Sequence, residues 1–95
     1  MPHVLRTLPA RGDLADIWAY IARDNLTAAD KLADEFQEIF LILAQMPESA
    51  QASPTMGPKV RRKTHRNYVV YFQPVDGGIE ILRVLHGARQ PKDLL

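Results

Sequence analysis

The stretch of sequence that decides the fold is YVVYFQPVDGGIEILRVLH, residues 68–86. Its first five residues are all aromatic or β-branched, a composition that favours a β-strand. The segment Asp76-Gly77-Gly78 is typical of a hairpin turn, because glycine adopts the positive φ angles that tight turns need. Residues 79–86 then form the returning strand, so this stretch predicts a β-hairpin.

The returning strand is mostly apolar on both of its faces. We expect one face to carry Ile79, Ile81, Arg83 and Leu85 and the other to carry Glu80, Leu82, Val84 and His86. A strand of this kind is typical of the middle of a sheet, where both faces are at least partly covered. We therefore expect the rest of the chain to pack around this hairpin.

A first amphipathic helix is predicted over residues 11–24. Its apolar stripe consists of Leu14, Ile17, Trp18 and Ile21, spaced i, i+3, i+4 and i+7. Asp13 and Asp16 are expected in its first turn, where the helix dipole favours negative charge, and Asn25 is expected to end it.

A second helix is predicted over residues 28–45. Its apolar stripe consists of Leu32, Phe36, Ile39, Phe40 and Leu43. Thr27 and Asp30 have the spacing of a capping box, which places the helix start there. Because only about three residues connect the two helices, they should form an antiparallel hairpin.

The remaining segments complete the order of elements. Residues 3–8 predict a short strand that Pro9 ends, and residues 60–64 predict a short polar strand. Residues 47–58 are rich in Pro, Ser and Gly and predict an extended loop. The order β-α-α-β-β-β indicates an α+β fold, with the helix hairpin packed on a small, mostly antiparallel sheet.

Composition narrows the class of protein. The chain has 95 residues, 46% of them apolar and 24% charged, which predicts one domain over residues 1–95. It has no cysteine, and its three histidines lack ligand spacing, so we expect neither a metal site nor a cofactor. The longest apolar run, residues 39–44, is far shorter than the roughly 20 residues that span a bilayer. We expect a cytoplasmic protein without membrane association.

The net charge of +1 conceals a strong asymmetry. Up to Met46 the chain has four Lys and Arg against seven Asp and Glu, a net charge of −3. The remainder has eight against four, a net charge of +4. Such asymmetry suggests two surfaces with different partners.

The densest basic segment is KVRRKTHR, residues 59–66. No carboxylate occurs between Ser49 and Val75, so these cations should attract phosphates or an acidic partner segment. The alternative is an ordinary solvated edge strand, where Lys and Arg discourage aggregation. Tyr68 and Tyr71 lie just beyond the segment, and they either stack bases or belong to the core, which is the commoner role.

A second polar group, Arg83, His86 and Arg89, lies at the end of the last strand. A ribonuclease needs a base, an acid and cations that stabilise a charged intermediate, and histidine can exchange protons near neutral pH. On an ideal strand Arg83 and His86 point to opposite faces, so they reach one phosphate only if the strand twists or bulges. A lone histidine at a strand end is also commonly a structural hydrogen-bonding group.

Trp18 is the only tryptophan. Its position in the apolar stripe favours the core. If the stripe is wider than the sheet can cover, Trp18 instead helps to form a groove for a partner helix.

Over nearly its whole length the sequence resembles the RelE/ParE superfamily of small toxins from bacterial type II toxin–antitoxin operons. The matching segments are DL and IWAYIA (residues 13–14 and 17–22), AA and LAQMP (28–29 and 43–47), RR (61–62), YVVY (68–71) and ILRVLHGAR (81–89). The last segment and the first helix resemble the ParE branch more than the RelE branch. The fold that this resemblance implies, two helices against a small antiparallel sheet, agrees with the predicted order.

The two branches imply different activities. RelE-like members cut mRNA in the ribosomal A site, whereas ParE-like members inhibit DNA gyrase and trap it with broken DNA. In a nuclease the candidate catalytic residues here are His86, Arg83 and Arg66. The sequence departs from the nuclease pattern at residues 68–69, at residues 87–88 and in residues 90–95, which contain no tyrosine. The resemblance therefore favours a gyrase inhibitor that is not an enzyme, with a ribosome-dependent mRNA endonuclease as the alternative and an inactive, antitoxin-binding member as a third.

The resemblance also implies a cognate antitoxin, bound in a hetero-oligomer. Antitoxins of this type wrap the toxin with a segment that is often acidic and amphipathic. The expected basic surface for target or antitoxin consists of Lys59, Arg61, Arg62, Lys63, Arg66, Arg83, His86 and Arg89. The expected antitoxin groove consists of Leu14, Trp18, Ile21 and Phe36. Direct binding of nucleic acid stays open.

Overall fold

The structure is a computed structural model that describes residues 2–87. Two helices cover one face of a five-stranded sheet. In chain order the elements are β1 (His3–Arg6), α1 (Leu8–Ala22), α2 (Leu26–Gln45), a 3₁₀ turn (Pro47–Ser49), β2 (Gln51–Ala52), β3 (Arg61–His65), β4 (Tyr68–Val75) and β5 (Gly78–His86). The predicted α+β order is confirmed, with the two-residue β2 as an addition.

The sheet has the strand order β1-β5-β4-β3-β2, so the predicted central position of β5 is confirmed. β1 runs parallel to β5, and the other neighbouring strands are antiparallel. β1 approaches the hairpin so closely that a Cβ atom on Gly78 would lie 1.9 Å from the backbone oxygen of His3. Glycine at position 78 is therefore required for this contact.

The main core lies between α2 and the sheet. α2 turns one stripe inward, with buried residues Ala29, Leu32, Phe36, Phe40, Leu43 and Ala44. From the sheet, Val70, Phe72, Ile79, Ile81 and Val84 meet this stripe. The Phe36 and Phe40 rings stack with their centroids 6.1 Å apart. The apolar stripe of α2 therefore covers one face of the hairpin formed by β4 and β5.

The opposite face of the sheet carries a smaller core of Val60, Tyr71 and Leu85. Met56 packs against it from the segment that the sequence predicts to be an extended loop. That segment has more structure than predicted: Ala50 and Ser53 are buried, and the Ser53 backbone N–H donates to the Val60 carbonyl at 2.8 Å. Ala50 joins the main core, whereas Met56 covers the apolar side chains on the opposite face of the sheet.

The predicted start of α1 is wrong by three residues. Thr7 caps the helix, and its Oγ1 accepts a hydrogen bond from the Ala10 N–H at 3.1 Å. Pro9 fits within the first turn because the first N–H groups of a helix need no intrahelical acceptor. Asp13 and Asp16 consequently lie beyond the first turn, so their predicted interaction with the helix N-terminus is also wrong.

The predicted boundary between the helices is corrected in the same way. Asn25 does not end α1 but caps α2, with its Oδ1 accepting from the Ala28 N–H at 3.0 Å. Thr27 and Asp30 therefore form no capping box. Three residues do separate the helices, which confirms the antiparallel hairpin.

β5 departs from the predicted alternation of faces at Leu82. Tyr71 pairs with Arg83 and Phe72 pairs with Ile81, so Leu82 is the extra residue of a β-bulge. Beyond the bulge, Val84 joins the core under the helices, whereas Leu85 lies on the opposite face. The prediction that Leu85 shares a face with Ile79 and Ile81 is wrong, because one inserted residue exchanges the faces of every later side chain.

Two leucines on α2 provide a matched test of this packing. Leu43 is 2% exposed and Leu41 is 54% exposed. We expect Leu43→Ala to lower the free energy of unfolding by about 2–5 kcal/mol, because it removes buried methyl groups and leaves a cavity. Leu41→Ala should change it by about 0.5 kcal/mol or less. Urea denaturation of both variants measures the difference, and equal losses would contradict the assigned helix face.

Candidate partner-binding site

The carboxylate of Asp13 on α1 holds the bulged half of β5. It accepts hydrogen bonds from Arg83 Nε at 2.8 Å and from Arg83 Nη2 at 2.9 Å. It also accepts one from the backbone N–H of Val84 at 3.0 Å. Hydrogen bonding to Asp13 raises the pKa of Arg83, so this cation is fixed in its charged, paired state.

A second carboxylate, Glu35 on α2, holds the turn between β3 and β4. It accepts from Arg66 Nε and Nη2, each at 2.8 Å, and its Oε1 lies 2.6 Å from His65 Nε2. These hydrogen bonds, that of Arg66 first, lower the pKa of Glu35 to about 2. Arg66 has a φ of 54°, an uncommon backbone conformation for a residue other than glycine, and the paired guanidinium fixes its side chain in place.

These two ion pairs correct the expected basic surface. The sequence suggested unneutralised cations, but Arg66 and Arg83 are each paired with a carboxylate from the acidic half of the chain. Arg61 is half-buried and donates to the backbone oxygen of Ala50 at 2.7 Å. Arg89 lies outside the described residues.

The rest of the basic run is divided between the two faces of the sheet. Arg62 pairs with Tyr71 on the outer face, whereas Lys63 pairs with Val70 on the helix-covered face. Directly paired residues on adjacent strands share a face, so the two cations point apart. Lys59, Arg62 and Lys63 are exposed. The expected surface therefore consists of separate exposed cations instead of one continuous patch.

His86 lies at the exposed end of β5. Its ring meets the half-buried Tyr68 edge to face at 5.7 Å, and Tyr68 meets Phe36 in the same way at 5.9 Å. His86 also lines an open cleft of about 580 Å³, whose other wall includes Asp13 and Asp16 on α1. Of the three nuclease candidates, only His86 lines this cleft. Arg83 and Arg66 are each paired with a carboxylate, so the three side chains do not form one site.

Leu14, Trp18 and Phe36, three residues of the expected antitoxin groove, line one narrow cleft of about 60 Å³ between the two helices. The fourth, Ile21, lines a different hollow, which Glu35 and Arg66 border. Trp18 is 39% exposed, and its Nε1–H donates to Asp30 at 2.8 Å, so it is neither fully core nor free. The structure therefore brings three of the four residues together.

Sequence reasoning did not identify Asp13 and Glu35 as partners of the basic half. No local pattern gives this information, because Asp13 and Arg83 are 70 residues apart and Glu35 and Arg66 are 31 apart. Tyr20 is a further missed residue: it is 70% exposed and lines the cleft beside His86. The sequence offered only the position of this tyrosine, outside the apolar stripe of the first helix.

Within residues 2–87, no group of three His, Asp or Glu side chains is arranged to hold a metal ion. The helices of this same part of the chain are too short or too polar to cross a membrane.

The Asp13 interaction can be tested with a neighbouring carboxylate as the control. We expect Asp13→Asn to lower the free energy of unfolding by about 1–3 kcal/mol, because Arg83 then loses its charged partner in a half-buried position. Asp16→Asn, on the same helix but exposed, should change it by about 0.5 kcal/mol or less. Chemical denaturation at neutral pH compares the two, and similar losses would contradict the role given to Asp13.

The Glu35 interaction predicts a pH dependence with a definite sign. Because folding lowers the pKa of Glu35 from 4.5 to about 2, its stabilising effect is present above pH 4.5 and is lost as the pH falls towards 2. The Glu35→Gln variant should therefore have a lower Tm than the wild type at pH 7. The difference in Tm between them should shrink as the pH falls through this range. A constant difference in thermal melts from pH 7 to pH 2 would count against the ion pair.

Comparison with known proteins agrees with the fold. Residues 4–91 match the family model described as "ParE toxin of type II toxin-antitoxin system, parDE". A solved chain of the chromosomal ParDE TA system from P. aeruginosa superposes with a TM-score of 0.74 at 24% identity, covering 90% of this chain and 96% of that one. No curated protein gives a significant match. Since the family model spans nearly the entire sequence, the chain belongs to the ParE toxin family of type II toxin–antitoxin systems.

Proposed function

We propose that this ParE-family toxin inhibits DNA gyrase without itself being an enzyme, and that a co-encoded antitoxin neutralises it. Gyrase inhibition is typical of the ParE toxin family, which supports this proposal. The target is a cytoplasmic enzyme, so the toxin is expected to act in the cytoplasm.

The observation that carries this proposal is the pairing of both candidate catalytic arginines. Cleavage of RNA needs cations that stabilise the charged intermediate as well as a base. Arg66 and Arg83 are each fixed by two hydrogen bonds to a carboxylate. The cleft that His86 lines also contains the exposed carboxylate of Asp16, whose negative charge opposes the approach of a phosphate. This arrangement supports binding to a protein target over phosphodiester cleavage.

Two regions of the surface suit the antitoxin. The cleft formed by Leu14, Trp18 and Phe36 offers apolar contact to a helix that inserts a small side chain. The exposed cations Lys59, Arg62 and Lys63 offer attraction to an acidic segment. We assign both regions to the antitoxin, and the exposed cations also to the target. Competition for the same cations would then explain neutralisation.

The function is tested with the purified full-length toxin and gyrase. We expect micromolar toxin to inhibit supercoiling and to accumulate cleaved DNA. Lys63→Glu should weaken this inhibition about tenfold, a change equivalent to roughly 1.4 kcal/mol of binding free energy. Arg11→Glu makes the same change in charge on α1 and should leave inhibition unaffected.

Other outcomes identify the alternatives. Cut transcripts in induced cells, with gyrase unaffected, would establish the endonuclease function, and then His86→Ala should abolish cutting. Unchanged growth after induction without antitoxin would indicate an inactive member that only binds its antitoxin. Either result would contradict the proposed function.

A further inference from the structure

One half of β5 has no neighbouring strand on the side of β1. The pairing between these strands ends at Arg6 and Ile81, and no strand in the described part of the chain pairs with residues 82–86 on that side. Side chains take the place of a strand there. Thr7 Oγ1 donates to the Leu82 carbonyl at 2.9 Å, and the Asp13 carboxylate accepts from the Val84 N–H at 3.0 Å.

The open cleft of about 580 Å³ runs along this half of β5. Residues 84–86 form one wall, and α1 forms the other through Asp13, Asp16, Ile17 and Tyr20. Asn67 and Tyr68 complete the lining. Because Thr7 and Asp13 already bind the Leu82 carbonyl and the Val84 N–H, an extended segment can enter only beyond them, in the cleft between residues 84–86 of β5 and α1.

The charge and aromatic character of the cleft specify what such a segment should carry. Arg83 neutralises Asp13, whereas the carboxylate of Asp16 is exposed and makes no hydrogen bond or ion pair with any residue of the described chain. Tyr20 lies one turn further along the same face of α1 and is 70% exposed. A carboxylate beside an exposed aromatic face suits a guanidinium group, which forms an ion pair and stacks at the same time.

We propose that this cleft binds an extended, arginine-bearing segment of a partner protein, which lies beside residues 84–86 of β5 and places its guanidinium between Asp16 and Tyr20. The surface differs from the regions assigned to the antitoxin in both position and charge, since one of those regions is an apolar cleft and the other consists of exposed cations that suit an acidic segment. It does not depend on gyrase being the target.

The test uses full-length, ¹⁵N-labelled toxin and two peptides, acetyl-Thr-Val-Arg-Val-Thr-amide and the same peptide with Gln in place of Arg. We expect the arginine peptide to shift the backbone amide signals of residues 16–20 and 84–86. It should bind at least fivefold more tightly than the glutamine peptide. Asp16→Asn should abolish that preference, and Tyr20→Leu should reduce it. Asp24→Asn, which removes an exposed carboxylate outside the cleft, should leave the preference intact.

Several results would overturn the proposal. They are equal affinity for both peptides, shifts confined to other surfaces, and no shifts at millimolar peptide in a folded protein. Concentration-dependent shifts of the same amides without peptide would assign the cleft to a second copy of the chain. Tighter peptide binding, by tenfold or more, in the double variant Arg89→Gln, Lys92→Gln would assign it to the protein's own C-terminal segment. Each of these last two results replaces the partner segment as the occupant.

Discussion

The carboxylate of Asp13 connects the helix hairpin to the second half of β5. β1 pairs with only the first half of β5, so the second half would expose backbone groups and the Arg83 guanidinium at an open edge. Asp13 accepts three hydrogen bonds from this half, two from Arg83 and one from Val84. A half-buried carboxylate is tolerated because all of these donors converge on it. This contact joins α1 to the half of β5 beyond the bulge at Leu82, and Asp13 forms part of the wall of the cleft beside His86.

The same contact shows that the acidic and basic halves of the sequence do not form two separate surfaces. An acidic half with net charge −3 and a basic half with +4 suggest two separate surfaces. In the fold they meet, since Asp13 pairs with Arg83 and Glu35 pairs with Arg66. The cations that remain exposed on β3 are divided between two faces of the sheet. A site built in this way favours recognition of protein surfaces, because the arginines that would stabilise a phosphate are already occupied.

The bulge at Leu82 shows how a single inserted residue relocates a candidate site. Without it, Leu85 would share the core face with Ile81, and His86 would point to the opposite side. With it, Val84 enters the core and His86 reaches the ring of Tyr68 on the helix-covered side. The order and type of elements survive such an insertion, whereas the set of residues that share a cleft does not.

The sequence by itself determined the two helices, the four longer strands, their order and the family. The spacing of apolar residues along 68–86 and along both helices predicts secondary structure, because secondary structure depends mainly on residues close together in the chain. It also located the three apolar residues, Leu14, Trp18 and Phe36, that meet between the helices, because helical spacing places them on facing stripes. Only the tertiary structure decided which charges remain available. The pairings of Asp13 with Arg83 and Glu35 with Arg66 join residues far apart in sequence, and the caps at Thr7 and Asn25 depend on where each chain segment enters its helix. Such contacts arise from packing between elements, so the spacing of residues within one segment does not predict them.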